Sequence, residues 1–154
     1  MKSIRLLPIF ALCLLAAPSL FASNFGVRAG RYTDANANFV GVDLLVDLGS
    51  VNLDPNVEYS LDDDVTAGSA NIDLTVDVVQ IGRIRPYVGA GIGLSYLDDN
   101  SGASQTDTVG NLIGGLTLDA GSLRPYVQAK YFRTLDNNGG PANHDWALTI
   151  GLHF

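Results

Sequence analysis

Cysteine is nearly absent from the 154 residues: the only one, Cys13, lies in an N-terminal segment that reads as a leader. Once that segment is removed the chain has no thiol, which excludes disulfides, thiolate catalysis and cysteine-ligated metals. Charge is scarce too, at 16% of residues, and lopsided, with nine Lys and Arg against sixteen Asp and Glu. No basic stripe exists to neutralise phosphates, so nucleic acid is not an expected partner. After residue 23 no segment offers apolar residues at helical spacing, and no apolar run reaches the roughly 20 residues a membrane helix needs. A chain of this length makes one domain and not two.

The beginning, MKSIRLLPIFALCLLAAPSLFA, places Lys2 and Arg5 ahead of an apolar stretch from Leu6 to Ala17, followed by Pro18 and small residues. That is the order of a secretory signal peptide, residues 1-22, with cleavage expected between Ala22 and Ser23. A retained N-terminal anchor is the competing reading; Pro8 and the shortness of the run argue against it. Leu12 is not the small residue expected before the cysteine of a lipoprotein. The mature domain is then 23-154, more acidic than the whole chain because Lys2 and Arg5 are lost.

What the sequence does have is alternation. VGVDLLVDL carries Val40, Val42, Leu44, Val46 and Leu48 on one parity and Gly41, Asp43, Leu45 and Asp47 on the other. ANIDLTVDV repeats the plan, and DWALTIGLHF closes the chain with Trp146, Leu148, Ile150, Leu152 and Phe154 on one face. Period two is the mark of a strand with unlike faces. On this basis eight strands are expected, at 24-32, 38-48, 51-61, 69-79, 84-97, 107-119, 123-134 and 145-154. GS at 49-50, QIGR at 80-83 and AGS at 120-122 connect them as short turns; DDDVTAGS, DDNSGASQT and 136-144 connect them as longer polar loops. Short connections at one end and long ones at the other describe an up-and-down meander. LDPNV at 53-57, IRPYV at 84-88 and LRPYV at 123-127 form an internal repeat. Proline is tolerated in the first residues of a strand, so the repeat marks the short-turn end.

Alternation alone does not say which face points inward. A soluble barrel such as a lipocalin fills its interior with the apolar set, whereas a membrane barrel turns that set to lipid. Glycine favours the second. Gly26, Gly30, Gly41, Gly89, Gly91, Gly93, Gly115 and Gly151 share the polar parity with Arg28, Arg85, Arg124, Lys130, Tyr87 and Tyr126. In a narrow lumen these glycines make room for the long side chains; on a wet sheet face they would only weaken it. Tyr96, Tyr131 and Trp146 lie outward near the long loops, and Phe25 and Phe154 near the other end, as two membrane interfaces require. The expected fold class is therefore all-β, an eight-stranded antiparallel up-and-down transmembrane β-barrel.

The leader, the repeated RPYV, the RPYVGAGIGL stretch at 85-94 and the terminal Phe154 resemble small outer-membrane β-barrels of the OmpA and OmpX kind, over the whole mature chain. The resemblance implies a Gram-negative outer-membrane location, both termini in the periplasm, contact with outer-membrane lipid and lipopolysaccharide, and a monomer. It also implies that the last strand, through Trp146, Leu148, Ile150, Leu152 and Phe154, is read by the barrel assembly machinery.

By parity Arg28, Asp43, Glu58, Asp73 and Lys130 meet mid-lumen as a charge network that blocks the bore; a narrow or gated water path is the alternative. Arg31, Arg133 and Trp146 share outward parity near the long loops, where they form an expected rim for a lipopolysaccharide phosphate, since Arg binds phosphate bidentately. Interfacial anchoring is the competing role for them. His144 and His153 are the only histidines of the mature chain, and NHDW lacks the His-x-Ser pattern of lipopolysaccharide deacylases. A lipopolysaccharide-modifying enzyme is thus the weakest reading, and no catalytic residue is assigned. The aspartates at 62-64, 98-99 and 136 match no calcium loop, so neither a metal nor a cofactor is expected.

Overall fold

A computed structural model describes residues 23–61, 66–98, 104–135 and 144–154. The expected signal peptide at 1-22 and the aspartates at 62-64, 99 and 136 lie outside the described residues. Eight antiparallel strands close into a barrel in sequence order: β1 (Ser23–Tyr32), β2 (Asn38–Asp47), β3 (Asn52–Ser60), β4 (Thr66–Asp77), β5 (Ile84–Asp98), β6 (Ser104–Leu118), β7 (Arg124–Thr134) and β8 (His144–His153). Seven of the eight neighbouring pairs follow each other in the chain. The eighth, β1 with β8, is the seam, paired from Gly26↔His153 to Tyr32↔Ala147. Closure leaves no free edge to satisfy.

The alternation sets the faces as the glycines indicated. Ile72, Ile92, Leu112 and Ile150 point outward and are 55 to 65% exposed, while Arg28, Asp43, Asp73 and Lys130 point inward and are at most 3% exposed. No helix among the described residues is long and apolar enough to cross a membrane.

Two strands, β4 and β6, begin three residues before their expected limits, and the other six keep theirs to within one residue at either end. β4 begins at Thr66 and β6 at Ser104, and β5 runs one residue further, to Asp98. The added residues, TAG and SQT, are small or polar on both faces, so nothing in their pattern announces a strand. They are recruited by pairing, Thr66↔Asp98 and Asp98↔Ser104, which extends the β4–β5–β6 ribbon beyond its neighbours. The loop expectations DDDVTAGS and DDNSGASQT shrink accordingly.

At the opposite end the chain reverses through Gly49 (φ 98°) and Gly121 (φ 84°), whose left-handed backbone a side chain would strain. Pro55, Pro86 and Pro125 fall within the first four residues of β3, β5 and β7. At Pro55 the ladder to β2 lapses between Asp43↔Asn56 and Val46↔Leu53. Asn56 Nδ2 there donates to the Asp54 carbonyl (3.0 Å).

Inside, the register sets a glycine directly across from a bulky neighbour: Gly26↔Asp43, Gly30↔Phe39, Arg28↔Gly41, Asp73↔Gly91, Asn71↔Gly93, Tyr87↔Gly115 and Tyr126↔Gly151. A Cβ on Gly151 would enter the ring of Tyr126, whereas one on the outward Gly114 would meet nothing. Gly151→Val therefore lowers stability by about 1–3 kcal/mol through overpacking, while Gly114→Val leaves it unchanged; urea unfolding in detergent micelles followed through Trp146, the only tryptophan, measures both.

Candidate functional site: the ion plug in the lumen

The middle of the bore is filled by ionised and amide side chains from six strands. Arg28 on β1 reaches across Gly41 and meets three carboxylates: its Nε pairs with Asp43 (3.3 Å), its Nη2 with Asp54 (3.0 Å) and its Nη1 with Glu58 (3.1 Å). Lys130 on β7 enters from the other wall, with Nζ 2.9 Å from Asp73 and 3.6 Å from Glu58. Glu58 is thus shared by both cations and joins the two halves of the cluster. The guanidinium also lies over the Tyr126 ring, 5.8 Å from its centre.

Four carboxylates face two fixed cations, and hydrogen-bond donors take up the excess acid. Tyr32 Oη donates to Glu58 (2.7 Å) and Tyr126 Oη to Asp43 (3.2 Å). Asp73 accepts from Asn56 (2.9 Å) and Asn111 (3.0 Å). His153 Nε2 bonds the second oxygen of Asp43, and its ring stacks on Tyr126 at 4.6 Å. Asn71 continues the amide chain, donating to Asn56 Oδ1 (3.2 Å). Such a network is costly to leave half satisfied, because each orphaned charge would sit in a low-dielectric interior.

The five lumen residues expected from parity, Arg28, Asp43, Glu58, Asp73 and Lys130, therefore come together in one connected cluster. Asp54, outside the expected five, is the third carboxylate partner of Arg28. His153, for which no catalytic role is expected, belongs to the cluster through Asp43. Sequence reasoning missed the amides Asn56, Asn71 and Asn111, and also the inward aromatic stack of Tyr32, Phe39 and Phe132, whose rings lie 4.7 and 5.6 Å apart. Their inward parity was available as a signal, but parity does not rank which residues meet.

Two cavities flank the plug and share no lining residue. At the long-loop end a space of about 360 Å³ is floored by Glu58, Asn71, Asn111 and Lys130. At the short-turn end about 30 Å³ is bounded by Asp54, Tyr87, Tyr126, Gln128 and His153. Arg28, Asp43, Asn56 and Asp73 line neither and stand between them. A second ionic group, Arg85 with Asp77 (3.5 Å) and Asp119 (3.4 Å), sits at the short-turn rim and is partly exposed.

The expected outer rim residues lie on the outward face around β8. Arg31 is opposite Leu148, Arg133 opposite His144, and Trp146 opposite Tyr131, whose ring it meets at 5.2 Å. Arg31 donates to Asn36 Oδ1. The two arginines are offset by four residues of β8, about 13 Å along the strand, so they do not converge on one small anion. His144 faces outward against Tyr131 (6.2 Å) and does not reach the lumen cluster. Among the described residues no group of three or more His, Cys, Asp or Glu side chains could hold a metal ion.

No protein-family model matches the chain, and no curated protein matches it. Solved structures do. The N-terminal β-barrel domain of Pseudomonas aeruginosa OprF aligns over 86% of this chain and 95% of that one, with a TM-score of 0.67 at 20% identity. The fold is that of the small outer-membrane barrels. Neisserial surface protein A aligns over 85% of this chain and 94% of its own with the same TM-score of 0.67 at 12% identity. The de novo designed TMB2.3 follows over 87% and 93%, with a TM-score of 0.55 at 16% identity. A likeness to a designed chain underlines that the architecture is specified by strand pattern and closure, and carries no activity by itself.

Lys130→Met leaves Asp73 without a cation in the bore, while Glu58 keeps Arg28, and destabilises the barrel by about 3–5 kcal/mol. Arg85→Met at the wetter rim costs less than about 1 kcal/mol. The same micelle unfolding measurement distinguishes them.

Proposed function

We propose that this chain is a non-enzymatic protein of the Gram-negative outer membrane: a monomeric barrel with a side-chain-filled lumen that presents short acidic loops at the cell surface and serves envelope integrity or surface contact. The observation that carries this reading is the inverted distribution of polarity. Ionised residues are sealed inside, and leucine, isoleucine and valine cover the outside, an arrangement stable only where the surroundings are apolar. Phe25 and Phe154, in edge-to-face contact at 5.5 Å, and Tyr131 with Trp146 mark two aromatic levels at opposite ends. Under this reading the outward face of β8, Trp146 to Phe154, is the segment read by the barrel assembly machinery. The mature protein stays in carbonate-washed membranes and migrates faster on a denaturing gel before heating than after; recovery in the soluble periplasmic fraction would defeat the proposal.

A narrow or gated pore is the second reading, favoured by the two cavities that approach the plug from either end. The plug closes the path in this reading's ground state, so purified protein in planar bilayers gives no discrete conductance steps. Regular single-channel openings would move the assignment to a pore. A lipopolysaccharide-modifying activity would appear as a changed lipid A mass spectrum between cells with and without the protein, and no change is expected.

The exposed Arg31 and Arg133 suit anionic lipid headgroups at the outer interface, with Trp146 between them as an amphipathic anchor. Their spacing suits two lipopolysaccharide phosphates in place of one. Replacing both arginines with alanine lowers the lipopolysaccharide that copurifies with the barrel, read by phosphate assay, while unchanged retention would remove the site.

A further inference from the structure

The seam between β1 and β8 is the one pairing that no turn enforces. In a hairpin the connection sets the register, and seven neighbouring pairs of this barrel are consecutive in the chain. β8 and β1 lie at opposite ends of the chain, so no connection aligns them. Its lipid-facing pattern gives little help: Trp146, Leu148, Ile150 and Leu152 are all large and apolar, so Val27, Ala29 and Arg31 of β1 would each still meet such a residue after a slip of two. A slip of two residues would preserve face and hydrophobicity alike, while changing the stagger of the closed barrel.

Two lumen-side contacts are sensitive to that slip. At the short-turn end His153 lies opposite Gly26, and Gly26 lies opposite Asp43 on β2. Because Gly26 has no side chain, the imidazole passes over β1 and its Nε2 bonds Asp43 on the strand beyond. A Cβ on Gly26 would sit 2.5 Å from His153 Cδ2 and 2.6 Å from Asp43 Oδ1. At the long-loop end Asp145 receives the backbone N–H groups of Asp34 (2.7 Å) and Ala35 (3.0 Å) and the hydroxyl of Thr33 (3.2 Å), gripping the turn that follows β1. A two-residue shift either way takes His153 off the Gly26 notch and Asp145 off the turn.

We propose that Asp145 and His153 form a two-point register key that selects the native alignment when β8 closes on β1. The lipid-facing residues make closure favourable, and these two lumen-side residues decide where it stops. His153 and Asp145 are then positioning residues for assembly, and Asp43 and the turn at 33–35 are their receivers.

Disulfide trapping tests this in the full chain expressed into membranes, with Cys13→Ser leaving only introduced cysteines. Ala29 and Ile150 are directly opposed on the outward face in the native register. Ala29→Cys with Ile150→Cys reports that register, and Ala29→Cys with Leu148→Cys or Leu152→Cys reports the two slipped ones, since opposed strand residues lie within disulfide reach. With the key intact the native pair crosslinks at least about tenfold more than either slipped pair, the scale set by losing charged hydrogen bonds. Asp145→Ala with His153→Ala brings a slipped pair to a comparable yield, and putting back either Asp145 or His153 alone restores part of the native preference. Exclusive 29–150 crosslinking in the Asp145→Ala, His153→Ala variant overturns the proposal. If that variant yields no heat-modifiable barrel, the single variants decide: a slipped crosslink that rises in Asp145→Ala or in His153→Ala supports the key, and exclusive 29–150 crosslinking in both overturns it.

Discussion

Arg28 meets three carboxylates at the centre of the bore, and the rest of the lumen is arranged so that this charge is never left alone. An unpaired guanidinium sealed from water would destabilise the barrel by several kcal/mol. Asp43, Asp54 and Glu58 answer it, which creates an excess of acid, and Lys130, His153, two tyrosines and the asparagines answer that. Strands β1, β2, β3, β4, β6 and β7 all contribute, so the cluster ties together walls that are not neighbours in the sheet. β8 joins it through His153.

The same constraint explains the glycines. An eight-stranded barrel has an interior only wide enough for side chains, and long polar residues on every strand would overfill it. Setting a glycine opposite Asp43, Arg28, Asp73, Tyr87 or Tyr126 gives each of them the space of two positions. The residue that is normally a weakness in a strand here becomes the complement of its neighbour, and cross-strand register becomes part of the packing. Tyr126 shows the economy of this: it covers Gly151, stacks on His153, lies under Arg28 and bonds Asp43.

Hydrophobic burial, which organises a soluble domain from the inside, works at the outer surface of this molecule. The outer residues need only be apolar, and their identities along β8 are nearly interchangeable. Specificity has therefore moved inward, to hydrogen bonds and ion pairs whose directionality rejects near alternatives. The fold likeness to a P. aeruginosa OprF domain, to Neisserial surface protein A and to a designed barrel at 12 to 20% identity fits that division. Many sequences satisfy the outer requirement.

Strand number, order and face were legible from the sequence, because period-two alternation and turn residues are local properties of a chain. VGVDLLVDL and DWALTIGLHF announce their faces without help from any neighbour. The early starts of β4 and β6 were not legible, since TAG and SQT become strand only by pairing with β5. The lumen set was legible as a list, and Arg28, Asp43, Glu58, Asp73 and Lys130 do meet, yet the role of Asp54, the reach of His153 over Gly26 and the separation of Arg31 from Arg133 were not. Each of these depends on the stagger between strands, a quantity that alternation leaves free by any multiple of two residues. By itself the sequence determined which side chains enter the bore; only closure of the barrel decided which of them touch, because register is a property of pairs of strands and not of one.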